Sequence, residues 1–336
     1  EIDIDATTGE LKLARTFPLV DPAKRAHQDF TGDVALSPDG RLLYVAMLHR
    51  DTIAVVNPQS GMVIERFKTG RRPYRVLFHP DGQSFFVSSW ADSAVWHHDA
   101  TKGHRLDLIR TGPHPTDMVL NTKLPTVEAE EKINYKMRLF VAAANTNRVH
   151  VFGIADDKQV RPIEAINVAM YPEQPLGMTP SALALTPDEK RLYIVCSDAN
   201  AVAVADISSA ATQVEGFVPS GWYPVAARAT ADGRLMIFNG RGNRSFPNPA
   251  GPNPTKKSAP VHQGTSNVEY VGRLQHGTVS IVPAFDERQL DLYSKTVLAN
   301  AAYKEAPTTI PAGNPVGASP SPIQHVIYIV KENRTY

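Results

Sequence analysis

Residues 181–207 read S-A-L-A-L-T-P-D-E-K-R-L-Y-I-V-C-S-D-A-N-A-V-A-V-A-D-I. Three short apolar runs, Ser181 to Leu185, Arg191 to Cys196 and Ala201 to Ile207, are separated by two polar turns. In the first turn Pro187 presets φ and Asp188 accepts local backbone hydrogen bonds, so the flanking runs fold back as antiparallel strands. A fourth run ends at Gly221. The same chemistry recurs along the chain. Related turns stand at Ser37-Pro38-Asp39-Gly40, His79-Pro80-Asp81-Gly82 and Thr230-Ala231-Asp232-Gly233. A Gly-x-x-Pro element precedes an apolar strand at Gly70/Pro73, Gly112/Pro115, Gly177/Pro180 and Gly221/Pro224. Four short antiparallel strands in each unit of about 42 residues are the pattern of a propeller blade, which buries its two faces only by stacking on neighbours.

The expected fold is therefore all-β, a β-propeller of four-stranded antiparallel blades. Blades are expected over 32–70, 71–112, 113–175, 176–221 and 222–300, and Glu1 to Val20 reads as a hairpin, the outer half of a further blade. About five and a half blades leave a ring unclosed, so inner strands are expected upstream of Glu1, in a parent ring for which seven blades fit best.

The composition agrees with this reading. An apolar fraction of 42% with 21% charged residues is that of a globular protein. No apolar stretch approaches the roughly 18 residues of a membrane span. A net charge of +1 gives no reason to expect nucleic acid. The 27 Pro and 21 Gly, with few 3.6-period segments, predict many turns and little helix. Cys196, the single cysteine, lies in an apolar run and is expected to be a buried thiol; an intrachain disulfide is excluded. The chain begins at Glu1 without a signal segment and is read as a processed or excised piece.

The strands Leu43-Tyr44-Val45-Ala46, Ser84-Phe85-Phe86-Val87-Ser88, Leu139-Phe140-Val141-Ala142 and Leu192-Tyr193-Ile194-Val195, each followed by a polar turn and an apolar strand, resemble the YVTN-type (YncE-like) propeller repeat. The resemblance covers most of residues 1–300. It implies a fold rather than an activity, because such propellers host enzymes, binders and scaffolds.

In a blade, the loop into the first strand and the turn between the second and third strands share one face. That rim collects His49, Arg50, Arg71, Arg72, Trp90, His114, Arg148, Trp222 and Tyr223. An insertion from Gly240 to His276 occupies a second-turn position and adds Arg241, Arg244, Lys256 and Lys257. A second insertion, Asn121 to Lys136, projects from the opposite face with Glu128, Glu130 and Glu131. Arginine and lysine clustered with aromatics suit an anionic small molecule or a partner that handles phosphate. A merely solvated rim is the plainer alternative. His97-His98-Asp99 is expected at the surface and not at a metal, since neighbouring strand residues point to opposite faces. Trp90 and Trp96 are expected between blades. No haem-attachment, nucleophile-elbow, Walker or dinucleotide motif is present.

Residues 301–322 are rich in Pro, Gly and small polar residues and read as a linker after the 1–300 propeller. Residues 323–336 begin a new apolar strand, His325-Val326-Ile327-Tyr328-Ile329-Val330, that runs into Lys331-Glu332-Asn333-Arg334. This segment resembles the opening of the phosphoesterase family of bacterial phospholipases C and acid phosphatases, within the alkaline phosphatase superfamily. The resemblance implies that Glu332 and Asn333 contribute to a divalent metal site of the Mn, Ca or Mg type, with no cofactor in the propeller itself. It implies that the chain lacks a nucleophile and a full ligand set, and so has no hydrolase activity alone. It also implies a partner, either its own C-terminal phosphoesterase domain or another protein, and a periplasmic or extracellular location in a bacterium. Two alternatives stay open. The last run is then a strand closing the propeller, or the propeller acts alone as a binding module or a lactonase-like enzyme, whose strand-turn-strand is echoed in Glu1 to Leu11. A polar, carboxylate-lined axial channel with bound metal favours the enzyme; an apolar or empty one favours the scaffold.

Overall fold

The computed structural model describes residues 1–26, 29–124, 134–244, 274–301 and 320–329. The chain divides into two units, Glu1–Asn300 and Ala301–Tyr336. The first opens on a hairpin of β1 (Ile2–Ile4) and β2 (Leu11–Leu13), whose turn is held by Asp5 Oδ1 accepting the N–H groups of Thr7 and Thr8 at 2.8 and 2.7 Å.

Five antiparallel sheets follow in chain order. The first is β3 (Thr31–Leu36), β4 (Leu43–Met47), β5 (Thr52–Asn57) and β6 (Met62–Lys68). The second is β7 (Pro73–Phe78), β8 (Ser84–Ser89), β9 (Ala94–Asp99) and β10 (Arg105–Arg110). The third is β11 (Pro115–Asn121), β12 (Met137–Ala143), β13 (Arg148–Ile154) and β14 (Val160–Asn167). The fourth is β15 (Pro180–Leu185), β16 (Arg191–Cys196), β17 (Ala201–Asp206) and β18 (Gln213–Pro219). The fifth is β19 (Pro224–Ala229), β20 (Leu235–Asn239) and β21 (Thr278–Val282). The inner strands pack in the sequence β3, β7, β11, β15, β19, as in a propeller.

Burial on both faces explains why the middle strands read as continuous apolar runs. Neighbouring residues on β8 serve different interfaces: Phe85 packs toward the first blade with Tyr44, Ile53 and Phe67, while Phe86 packs toward the third with Met118, Leu139 and Phe152. Cys196 lies in the layer between the third and fourth blades with Phe140, Val151 and Ile194, and burial pushes its thiol up to about 12. The first four predicted blades and the buried thiol are borne out. At the two ends of the series apolar side chains stay exposed, Val34 and Leu36 on β3 and Val279 and Ile281 on β21.

The fifth blade departs from expectation. After β21 the chain forms a helix, α1 (Glu287–Asn300), in place of a fourth strand. Its Leu290 and Val297 are buried, and it lies along β18, where Gly216 leaves room for the close approach of Ser294 and Leu290. In the second unit, residues 320–329 form neither helix nor strand, although 323–329 read as strand in the sequence. A lone strand has no partner for its N–H and C=O groups. Glu332 and Asn333 lie outside the described residues.

Candidate functional site

The Gly-x-x-Pro loops share one geometry. The residue before each proline has positive φ: Arg72 (53°), His114 (56°), Thr179 (54°) and Tyr223 (53°). Such angles are uncommon outside glycine, so the surroundings must hold them. Each of these residues accepts, on its carbonyl, an N–H from the second turn of its own blade: Trp90, Ala144, Ser197 and Gly240 respectively. Phe30 accepts Leu48 N–H in the same way and is the first blade's counterpart. The N–H groups of Arg72 and Tyr223 donate to Asp51 Oδ1 and Asn200 Oδ1 of the preceding blade, both at 2.8 Å. The motif glycine is needed for close approach: a Cβ on Gly70 would lie 2.3 Å from both Ser89 Oγ and Trp96 Nε1.

The side chains of Phe30, Arg72, His114, Thr179 and Tyr223 therefore stand where the inner strands begin; Arg72, His114 and Tyr223 belong to the rim expected from the sequence, Phe30 and Thr179 do not. Arg72 lies over Trp90 at 5.5 Å, and Trp90 stacks on His114 at 3.7 Å and 7°. Arg241 lies over Tyr223 at 4.2 Å. Trp222 is exposed, and His49 meets Phe30 edge-on at 5.9 Å. Among the described residues no acid pairs with the Arg72, Arg148 or Arg241 side chain. Two predicted rim cations are used internally. Arg50 is held by Asp29 at 2.5 and 3.0 Å, which keeps that carboxyl down at about 2. Arg71 is clasped by Asp92, which takes both its Nε and its backbone N–H at 2.7 Å. Arg244 closes the described part of the insertion; Lys256, Lys257, Glu128, Glu130 and Glu131 lie outside it.

His97 and His98 correct a prediction, for both are buried and not at the surface. His97 stacks on Phe86 at 4.3 Å and His98 on Phe85 at 5.2 Å, on opposite faces of β9, so they cannot share a metal. Among the described residues no three His, Cys, Asp or Glu side chains converge to hold a metal.

A second group, on the inner strands, was missed. Arg75 on β7 sits between Asp33 on β3, 3.2 Å away through Nη1, and Asp117 on β11, 2.9 Å away through Nε. Nε is not aimed well enough to count as a hydrogen bond, so that contact is ionic. Each carboxylate also staples the next blade: Asp33 Oδ2 accepts Val76 N–H at 3.0 Å, and Asp117 Oδ2 accepts Leu183 N–H at 2.8 Å. Burial raises Asp117, against the pull of Arg75 and of the Leu183 and Met118 N–H groups. Tyr74, next to Arg75, is raised by burial and then by Asp117, Tyr223 and Asp33, which ties this axial group to the rim. The available signal was a charged residue at the third position of three inner strands, Asp33 in β3, Arg75 in β7 and Asp117 in β11; β15 carries none. A bulge follows there in every blade, re-aiming side chains inward.

No family model matches the sequence, and no curated protein matches it. Among solved structures the chain is similar to a candidate 6-phosphogluconolactonase of Bacteroides fragilis, at 15% identity and TM-score 0.50, over 67% of this chain and 65% of that one. It is also similar to one of Bacteroides uniformis, at 19% identity and TM-score 0.51, over 70% and 69% of the two chains. What is shared is the propeller fold. The match spans about two thirds of those proteins' length.

Proposed function

We propose that this chain is a propeller scaffold that receives an anionic group on its rim, carried by a small molecule or by a partner domain. The observation behind this is the pair of exposed guanidinium groups, Arg72 and Arg241, each laid on an aromatic face and without an acidic partner among the described residues. Stacking pre-orients the planar fork, so less freedom is lost when it takes a phosphate or carboxylate. The partner favoured by the sequence is a phosphoesterase domain beginning in the His325 to Arg334 run, on a YVTN-type propeller of a bacterial periplasmic or extracellular protein. Glu332 and Asn333 would contribute there to a divalent metal site. In that reading the propeller binds and the second domain reacts.

The axial carboxylates favour a second reading, ring opening of a lactone by the propeller itself, as the names of the two similar structures describe for those proteins. Asp33 and Asp117 line the axis, but Arg75 neutralises one of them and each already holds a neighbouring blade.

One titration separates these readings. With p-nitrophenyl phosphate as probe, calorimetry is expected to show salt-sensitive binding, weakened about tenfold or more in R72A/R241A, because two charge-assisted contacts of about 1 kcal/mol or more are lost. Equal affinity in the double variant sinks the rim proposal. Ring opening of a sugar lactone above background, abolished in D117N, would establish the second reading in its place.

A further inference from the structure

At the end of the blades opposite the rim, the junctions between blades are not filled alike. Between the third and fourth blades the space is plugged by Arg138, fully buried, which donates through Nε to Asn121 Oδ1 at 2.9 Å and through its terminal nitrogens to the carbonyls of Ile207 and Ser209. The matching residue one blade on is Arg191, which turns instead to Glu215 at 3.0 Å. The junction of the fourth and fifth blades is left with a cleft of about 660 Å³. A comparable cleft of about 690 Å³ lies between the first and second blades.

The two clefts differ in one phenol. In the first, Tyr44 Oη donates to Ala100 O at 2.6 Å. Its counterpart Tyr193 stands at the same place, five residues after the turn aspartate and opposite Val204 as Tyr44 is opposite Val55. Tyr193 is 4% exposed and lines the cleft, yet its hydroxyl makes no hydrogen bond among the described residues. The ring is buried while the hydroxyl is not enclosed by protein, so Oη opens on the cleft and is available to a guest.

The lining says what guest. Four carboxylates, Asp188, Asp206, Glu215 and Glu287, face two cations, Lys190 and Arg191, and Arg191 is committed to Glu215. Acceptors are in surplus, and a group with donors only is the complement; an alkylammonium has three N–H donors and no acceptor. Phe285 and Tyr193, with centroids 6.4 Å apart at 63°, add ring surface to which a cation is drawn. The volume suits a small molecule or a single long side chain.

We infer that this cleft is a binding site for a primary ammonium group on a short alkyl stem, with Tyr193 Oη and the Asp206 carboxylate as its acceptors. The ammonium belongs either to a free diamine or to a lysine of another protein. The site is independent of the rim.

Calorimetry at low ionic strength with 1,5-diaminopentane, Nα-acetyl-lysine methylamide and, as a neutral control, 1,5-pentanediol tests this. Both amines are expected to bind, the diol is not, and Y193F and D206N each weaken the amines by about tenfold with melting temperature unchanged. R72A/R241A leaves amine binding as it was, which keeps this result separate from the rim. Tighter binding of the lysine derivative points to a protein lysine, and tighter binding of the diamine to a free amine; either supports the site. Absence of binding by both amines at millimolar concentration overturns it, as does equal binding of the diol. Wild-type affinity in D206N overturns it too, and that variant carries the test if Y193F does not fold.

Discussion

His97 is 2% exposed, lies flat against Phe86, and has no partner for Nε2. Burial lowers it to about 4, with Asp107 pulling the other way and His79, Lys158 and His98 adding to the fall. In the unfolded chain a histidine titrates near its ordinary value of about 6.5. Between these two values the unfolded state binds a proton that the folded state refuses, so stability falls as pH drops from about 6.5 toward 4. The loss amounts to roughly 3 kcal/mol at most. Urea midpoints at neutral and mildly acidic pH are expected to separate more for the natural protein than for H97L, which has no ring to protonate; equal separations would refute the assignment. The sequence showed that adjacent histidines on a strand diverge. It did not show that both faces of β9 are covered by other blades, and that turned an expected surface pair into a buried one.

At the scale of the element, α1 shows a readable signal that the repeat concealed. Leu290, Tyr293 and Val297 recur at helical spacing, and Asp286 stands three residues before Gln289, whose N–H it accepts at 2.8 Å as an N-cap. The strong four-strand period biased the reading of 222–300 toward strand. Removing the cap in D286A is expected to cost about 1 kcal/mol, read as a lower melting temperature, with the rim's anion affinity unchanged because α1 covers the outer strand of the fourth blade. The Gly-x-x-Pro loops were legible as loops. Their left-handed residue was not, because the bonds that hold Arg72 and Tyr223 come from Asp51 and Asn200, about twenty residues upstream on another blade.

For the molecule as a whole, period and turn chemistry were enough to place the blades, since each contacts mainly its neighbours. The axial group was out of reach of such reading: Asp33, Arg75 and Asp117 meet only because three inner strands converge. Arg75 separates two carboxylates that would otherwise face each other across the axis, so R75M is expected to cost about 2 kcal/mol, less than a fully buried pair because part of the side chain meets solvent. Adding D117N to R75M should recover part of that loss in denaturant midpoints, and no recovery would mean that Arg75 acts through packing alone. The same reasoning explains the uneven record on the rim. Position in the blade repeat pointed to these cations, and only the fold revealed that Asp29 and Asp92 already occupy Arg50 and Arg71.

The fifth blade has a kinetic corollary. Its strands β20 and β21 pair across the 38 residues between Asn239 and Thr278, whereas β16 and β17 pair across four. Closing the longer loop costs about 2 kcal/mol more in chain entropy, enough to slow that step some thirtyfold relative to its neighbours. The hairpins of the other blades are therefore expected to zip first, and β21, with the helix that follows it, to be laid down on an already assembled stack.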